Sequence, residues 1–96
     1  MNQFTRVAAV ELAEFSIRVN AVLPGVIATD RVLDSSSTEA AKRELHAKVS
    51  RIPAERLGRP EEVVPLVLFL LSDAASYCTG GLYTVDGGFS LGLSKY

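Results

Sequence analysis

The sequence holds one cysteine, Cys78, and one histidine, His46. A single cysteine excludes an intrachain disulfide and a cysteine zinc site, and it is compatible with a reducing compartment. Charge of one sign is also missing. Ten Lys and Arg stand against eleven Asp and Glu, for a net charge of -1, so no basic field argues for nucleic acid or an anionic membrane as partner. There is no long apolar run. The longest, residues 63–71, contains Pro65 and is far too short to cross a bilayer. No signal peptide or transit segment is visible, so a cytoplasmic location is the default expectation. Repeats, low-complexity tracts and linkers are absent too. What remains is an ordinary globular balance, 48% hydrophobic and 22% charged over 96 residues. That suits one small domain or part of a larger one.

Periodicity organises the chain. Phe4, Ala8, Leu12 and Phe15 recur at helical spacing and share one face, so residues 2–15 read as an amphipathic helix. Met1 stands at its start with no capping residue before it. Residues 18–23 read as a strand, and Ile17, Val19, Ala21, Val22 and Leu23 leave few polar positions. A near-continuous apolar strand is the mark of a parallel sheet covered on both faces. Pro24-Gly25 stops it, because proline removes a donor and glycine permits a close backbone path.

Residues 29–38 are polar and read as a loop. Ser35, Ser36, Ser37 and Thr38 end it, with Thr38 or a neighbouring serine capping a helix over 39–49. A connection with Pro53 and Gly58 follows. Pro60-Glu61-Glu62 then starts a helix that runs to about Leu71, with proline in the first turn and carboxylates at the positive end of the dipole. Pro65 is expected to bend it. Thr79-Gly80-Gly81 is a turn, residues 82–85 are a second strand, and Asp86-Gly87-Gly88 closes it. The tail from Phe89 to Tyr96 has no period. A strand–helix–strand order joins parallel neighbours by a right-handed crossover, so the fold class is α/β. Two apolar strands make a marginal sheet by themselves, so the first strand is expected to lack neighbours and cover.

Three segments in order carry a resemblance. They are Glu11-Leu12-Ala13 with Ile17-Arg18-Val19-Asn20-Ala21-Val22-Leu23-Pro24-Gly25-Val26-Ile27-Ala28-Thr29; then Arg56-Leu57-Gly58-Arg59-Pro60-Glu61-Glu62-Val63; then residues 69–77 through Gly80 to Val85-Asp86-Gly87-Gly88. Together they resemble the C-terminal hallmarks of the short-chain dehydrogenases/reductases, with wording most like tropinone-reductase-like and 3-oxoacyl-carrier-protein-reductase-like members. The resemblance implies that residues 1–96 are the C-terminal part of such a domain, an incomplete doubly wound (Rossmann-type) parallel sheet. It implies a parent activity of reversible ketone reduction or secondary alcohol oxidation with NAD or NADP.

That family's chemistry needs a glycine-rich turn after its first strand to hold the pyrophosphate, and no such turn precedes Arg18. It also needs a tyrosine as acid or base, with a lysine four residues later that lowers the tyrosine pKa. The tyrosines are Tyr77, Tyr83 and Tyr96; positions 81 and 87 are glycines and the sequence ends at 96. By register with the family, the pair belongs just before Met1. No catalytic residue and no metal ligand is therefore assigned, and the expectation is a truncated oxidoreductase, inactive alone and not expected to bind the dinucleotide alone. The resemblance places Pro24, Gly25, Ile27 and Thr29 against the nicotinamide end, the Ile27 backbone bonding the carboxamide and the Thr29 hydroxyl reaching the carboxamide or a phosphate. Residues 30–51 correspond to the family's substrate lid, and none receives a role.

Other conspicuous residues read plainly. His46 lies among Lys42, Glu44 and Lys48 on a solvated helix face. Asp86 is a structural cap before Gly87-Gly88 or a subunit contact. Cys78 is a small packed residue, without basic neighbours to make it reactive. Glu61 and Glu62 are helix-start charges rather than an acid–base pair, and Asn20 completes strand-end hydrogen bonds. The alternative to a truncated enzyme is a non-enzymatic interaction module that packs on a full-length relative, or on its own copy, through the last helix and strand. A chain that has no function and folds poorly is the third reading.

Overall fold

The computed structural model describes residues 2–92. Its elements are α1 (Asn2–Leu12), β1 (Ala21–Pro24), α2 (Asp30–Asp34), α3 (Glu39–Ser50), α4 (Pro60–Leu71) and β2 (Leu82–Val85), with single 3-10 turns at Ala13–Phe15, Asp73–Ala75 and Phe89–Leu91. β1 and β2 pair as a two-stranded parallel sheet. This is the α/β arrangement expected, and every strand residue is half-buried or exposed rather than buried. The readings that concern Met1 and the tail as far as Tyr96 fall partly outside the described residues.

The chain divides into two compact units, Met1–Leu23 with Val64–Thr84, and Pro24–Val63 with Val85–Tyr96. In the first, α1 buries Thr5 and Ala9. Ala8 and Leu12 are half-buried beside them, whereas Phe4 and Phe15 of the expected apolar face stand exposed, Phe4 at 71%. Ala9 fits there because it is small: its Cβ is 3.4 Å from the place a side chain at Gly80 would begin.

The strand starts later than its apolar run. Residues 17–20 are irregular and β1 begins at Ala21. The reason is that polar groups take over where a ladder would have run. The Arg18 guanidinium donates to Leu70 O at 2.7 Å and more weakly to Ser72 O and Cys78 O, both at 3.4 Å. It thereby satisfies carbonyls at the C-terminus of α4, where cations are favoured. Val19 N donates to Thr79 Oγ1 at 3.1 Å. Asn20 bonds at both ends of its amide, Nδ2 to Cys78 O at 2.9 Å and Oδ1 from Gly81 N at 3.0 Å. Gly80 has φ +77°, the left-handed region that glycine occupies without strain, and this turn keeps the partner segment from being extended. From Ala21 the ladder is regular, with Ala21 N donating to Gly81 O at 2.9 Å.

In the second unit, Thr38 caps α3 as expected, its Oγ1 accepting from Ala41 N at 3.1 Å. The expected loop over 29–38 is corrected. Its first half is the short helix α2, capped by Thr29, whose Oγ1 accepts from Val32 N at 3.3 Å. Local cap chemistry, Thr29 followed by Asp30 in the first turn, overrides the polar composition. Ile52, 2% exposed, is the large side chain at this unit's centre. α4 runs unbroken through Pro65.

Candidate functional site

The second unit gathers the predicted residues at the end of β1. Gly25 N donates to Val85 O at 2.9 Å, so the ladder continues past the expected stop. Pro24 belongs to β1 and is exposed; it sits where a missing N–H costs no ladder bond. Gly25 is glycine for a packing reason. A Cβ there would lie 2.6 Å from Asp86 Cβ and 2.8 Å from Asp86 Cα. Asp86 cannot yield, because its carboxylate accepts from Gly88 N at 2.9 Å and Ser90 N at 2.8 Å. The Ser90 side chain, and then the Ser90 and Gly88 amides, hold its carboxyl below the usual range against the opposing effect of partial burial. Asp86 is thus the cap that its sequence context suggested.

Beyond Gly25 the chain makes a second, isolated parallel bridge between Ile27 and Gly58. Gly58 N donates to Val26 O at 3.0 Å and Ala28 N donates to Gly58 O at 2.8 Å. In a parallel bridge those two bonds flank the central residue, whose own N–H and C=O point the other way. Ile27 C=O accepts from Thr29 N at 2.8 Å, and Ile27 N–H has no partner among the described residues. Thr29 uses an oxygen lone pair in its cap and keeps its hydroxyl proton as a donor.

The Gly58 side is held by a carboxylate that sequence reasoning took for a mere helix-start charge. Glu62 receives both nitrogens of the Arg56 fork, at 2.7 and 2.8 Å, and accepts from Arg59 N at 3.0 Å and Arg59 Nε at 3.3 Å. The bond to Arg59 N is the returning half of a capping box, with Arg59 at the N-cap and Glu62 at the third helical position. The signal was present in Arg59-Pro60-Glu61-Glu62, but the role of Arg56 was not. These donors, the Arg56 side chain first, depress the Glu62 pKa to about 2. The folded pKa lies below the ordinary 4.5, so the contribution is complete above pH 4.5 and fades as pH falls towards 2. The Glu62 contribution to stability is therefore expected to hold between pH 7 and 5 and to fade below about 4.5, by no more than the small amount that an exposed pair supplies, and Glu62→Gln is expected to lack that component. Melts of both proteins across this range check it; identical acid profiles would count against the pair.

A cavity of about 70 Å³ lies among Val26, Ile27, Gly58, Glu62, Val85 and Asp86. It admits a few waters and is far below the ~300 Å³ at which pockets begin to enclose a drug-sized ligand. For a dinucleotide this unit offers a backbone edge, not an enclosing pocket. On that edge the Ile27 N–H, without a partner among the described residues, and the Thr29 hydroxyl are the available donors.

No tyrosine has a lysine four positions on, and Tyr77 is fully exposed. The Tyr83 phenol is pushed up, by burial first and by the Cys78 thiol second, opposite to what an acid–base tyrosine needs. No group of three or more metal-ligating side chains occurs among the described residues, and no helix of the described residues is long and apolar enough to cross a membrane. His46 is exposed on α3.

A family model described as enoyl-(acyl carrier protein) reductase matches residues 1–90. This chain belongs to the short-chain dehydrogenase/reductase family. Among curated members, it is 41% identical to the 7alpha-hydroxysteroid dehydrogenase of Paraclostridium sordellii over 97 residues, with all of this chain and 35% of that one covered. It is 40% identical to a tropinone reductase homolog of Datura stramonium, with 95% and 34% covered. Among solved short-chain dehydrogenase/reductase structures, a family protein from Francisella tularensis superposes with a TM-score of 0.80 at 33% identity, covering 94% of this chain and 40% of that one. A putative 2-deoxy-D-gluconate 3-dehydrogenase from Agrobacterium tumefaciens with bound NADP gives 0.79 at 34% identity, covering 94% and 35%. The chain spans about a third of the length of the curated relatives it matches. Membership makes it part of an oxidoreductase family with NAD(P)-using members and a Rossmann-type sheet.

Proposed function

We propose that this chain forms the nicotinamide-end wall of an NAD(P)-dependent short-chain oxidoreductase that interconverts ketones and secondary alcohols. The observation that supports the reading is the Ile27 peptide, turned away from Gly58 by the bridge with its N–H unpartnered among the described residues. Ile27 N–H binds the carboxamide oxygen, and the Thr29 hydroxyl donates to the carboxamide or a phosphate. Gly25, by letting Asp86 close on it, keeps this edge in place; Pro24 ends β1 beside it. When bound, the nicotinamide supplies or receives the hydride. Protonation of the substrate oxygen needs a positioned donor, and no tyrosine of the sequence has the lysine partner four residues on, so the 96 residues alone are inactive.

A chimera tests the reading: residues 1–96 replace the matching third of the Paraclostridium sordellii enzyme. NAD(P)H-dependent turnover is expected. Ile27→Pro, which removes the N–H, is expected to raise the dinucleotide KM about tenfold, the equivalent of one hydrogen bond of ~1.4 kcal/mol. An unchanged KM in a folded variant ends the proposal for Ile27, and ketone reduction by the pure chain ends the proposal of inactivity.

A second reading has its own support. α4 leaves Val64, Leu68 and Leu71 exposed, the last at 75%, and β2 has no second strand neighbour among the described residues. In this reading the last helix and strand pack on a full-length family member or on a second copy of this chain. Size-exclusion chromatography with and without such a relative is expected to show co-elution; a monomer that ignores it would retire the idea.

A further inference from the structure

We propose that Glu62 is a positioning residue for the Ile27 peptide, acting through Gly58. The inference rests on the reading of Ile27 as the cofactor contact, and it adds what keeps that contact aimed. The hydrogen bonds that hold Ile27 from the Gly58 side are both backbone, the two that flank it. Gly58 lies in a connection with no helix or strand of its own between Ser50 and Pro60. Its first half is tied by backbone bonds, Ala54 N to Gly87 O at 3.0 Å and Glu55 N to Ile52 O at 2.8 Å; nearer Gly58, the side chains of Arg56 and Glu62 add the further ties.

Glu62 supplies that hold from one carboxylate. It fixes Arg56, two residues before Gly58, by a fork of two short bonds, and it fixes Arg59, the residue after Gly58, at both the backbone N–H and the side chain. Arg56 also donates to Leu57 O at 3.1 Å, so the residue between them is tied as well. Glu62 itself is carried on the first turn of α4, where its own N–H donates to Arg59 O at 2.8 Å. Charge-assisted, bidentate bonds are the directional kind, and here they fall on either side of the one residue that bridges Ile27. The Ile27 side chain completes the contact, with Cδ1 2.8 Å from where a Cβ on Gly58 would stand. A surface ion pair of this exposure adds little to global stability. Its consequence is local, in the direction of one peptide N–H.

Amide hydrogen exchange on the full chain, read by NMR, tests this without any cofactor, so its failure is separate from failure of the chimera experiment. In Glu62→Ala the amides of Ala28 and Gly58, the two donors of the bridge, are expected to exchange at least about tenfold faster. The Ala21 and Gly80 amides, which bond in the other unit, are expected to stay within about twofold. Arg56→Gln should move the same two bridge amides in the same direction, and Glu62→Gln, which keeps one acceptor oxygen for Arg59 N, should restore part of the protection. Bridge amides that do not respond to Glu62→Ala or Arg56→Gln overturn the proposal. So does acceleration of all four amides together, which would make Glu62 a general stabiliser.

Discussion

Ile52→Ala is expected to lower the stability of the second unit by about 2–5 kcal/mol, the range for removing a buried branched side chain and leaving a cavity. Ile52 is 2% exposed and is the largest fully buried side chain among the described residues. It follows α3 in a tight turn, its N–H donating to Val49 O at 3.0 Å, and Glu55 N returns to Ile52 O at 2.8 Å. On its other side the backbone of Gly87 is so close that a Cβ there would lie 2.9 Å from Ile52 Cγ2. On that side the neighbour is backbone, which does not rotate into the space that the mutation opens. Among the described residues the other buried hydrophobics, Ala9, Leu70 and Ala75, all belong to the first unit. Domains of this size are stable by only about 5–15 kcal/mol, so the loss is a large share of the total. Urea titration followed by circular dichroism reads it, with Leu71→Ala as a surface control expected within about 0.5 kcal/mol. An Ile52→Ala midpoint no lower than that of the control would show that this side chain is not the centre of the unit.

Gly25→Ala carries the second large effect, about 1–3 kcal/mol or more from overpacking. The atoms met are Asp86 Cβ at 2.6 Å and Asp86 Cα at 2.8 Å. The second is backbone, and the residue is pinned by its bonds from Gly88 N and Ser90 N. Either β1 or the turn after β2 must move, and the bond from Gly25 N to Val85 O resists. Gly58→Ala is the informative comparison, because the atom it meets is the far end of Ile27 at 2.8 Å, which can rotate away. Thermal melts should rank Gly25→Ala well below Gly58→Ala. The reverse order would mean that the end of β1 has slack that the close contact with Asp86 denies.

These effects are local in origin, and so was most of what proved legible. The helix starts at Thr38 and Pro60 were read correctly because a cap involves only the next three or four residues. The same chemistry at Thr29 was passed over because a five-residue helix leaves no periodicity to notice. The strand was placed three residues early, since apolar composition does not reveal that Arg18 and Asn20 spend their side chains on residues 52 to 61 positions away. Phe4 and Phe15 looked like a core face for a similar reason: a helix period shows which residues lie together, not whether anything covers them.

The order of residues alone determined the family, the α/β class, the helix starts, and the absence of a tyrosine–lysine pair, because each depends on residue type and short spacing. Only the tertiary structure decided that Gly58 bridges Ile27, that Glu62 bonds both Arg56 and Arg59, and that Gly25 makes room for Asp86. The first and last of those relations are made by backbone atoms and by the lack of a side chain, between residues 31 and 61 positions apart, and the bonds of Glu62 depend on how the turn before α4 folds back on it. Every residue carries the same peptide group, so no residue type announces which one will be turned away from its bridge partner.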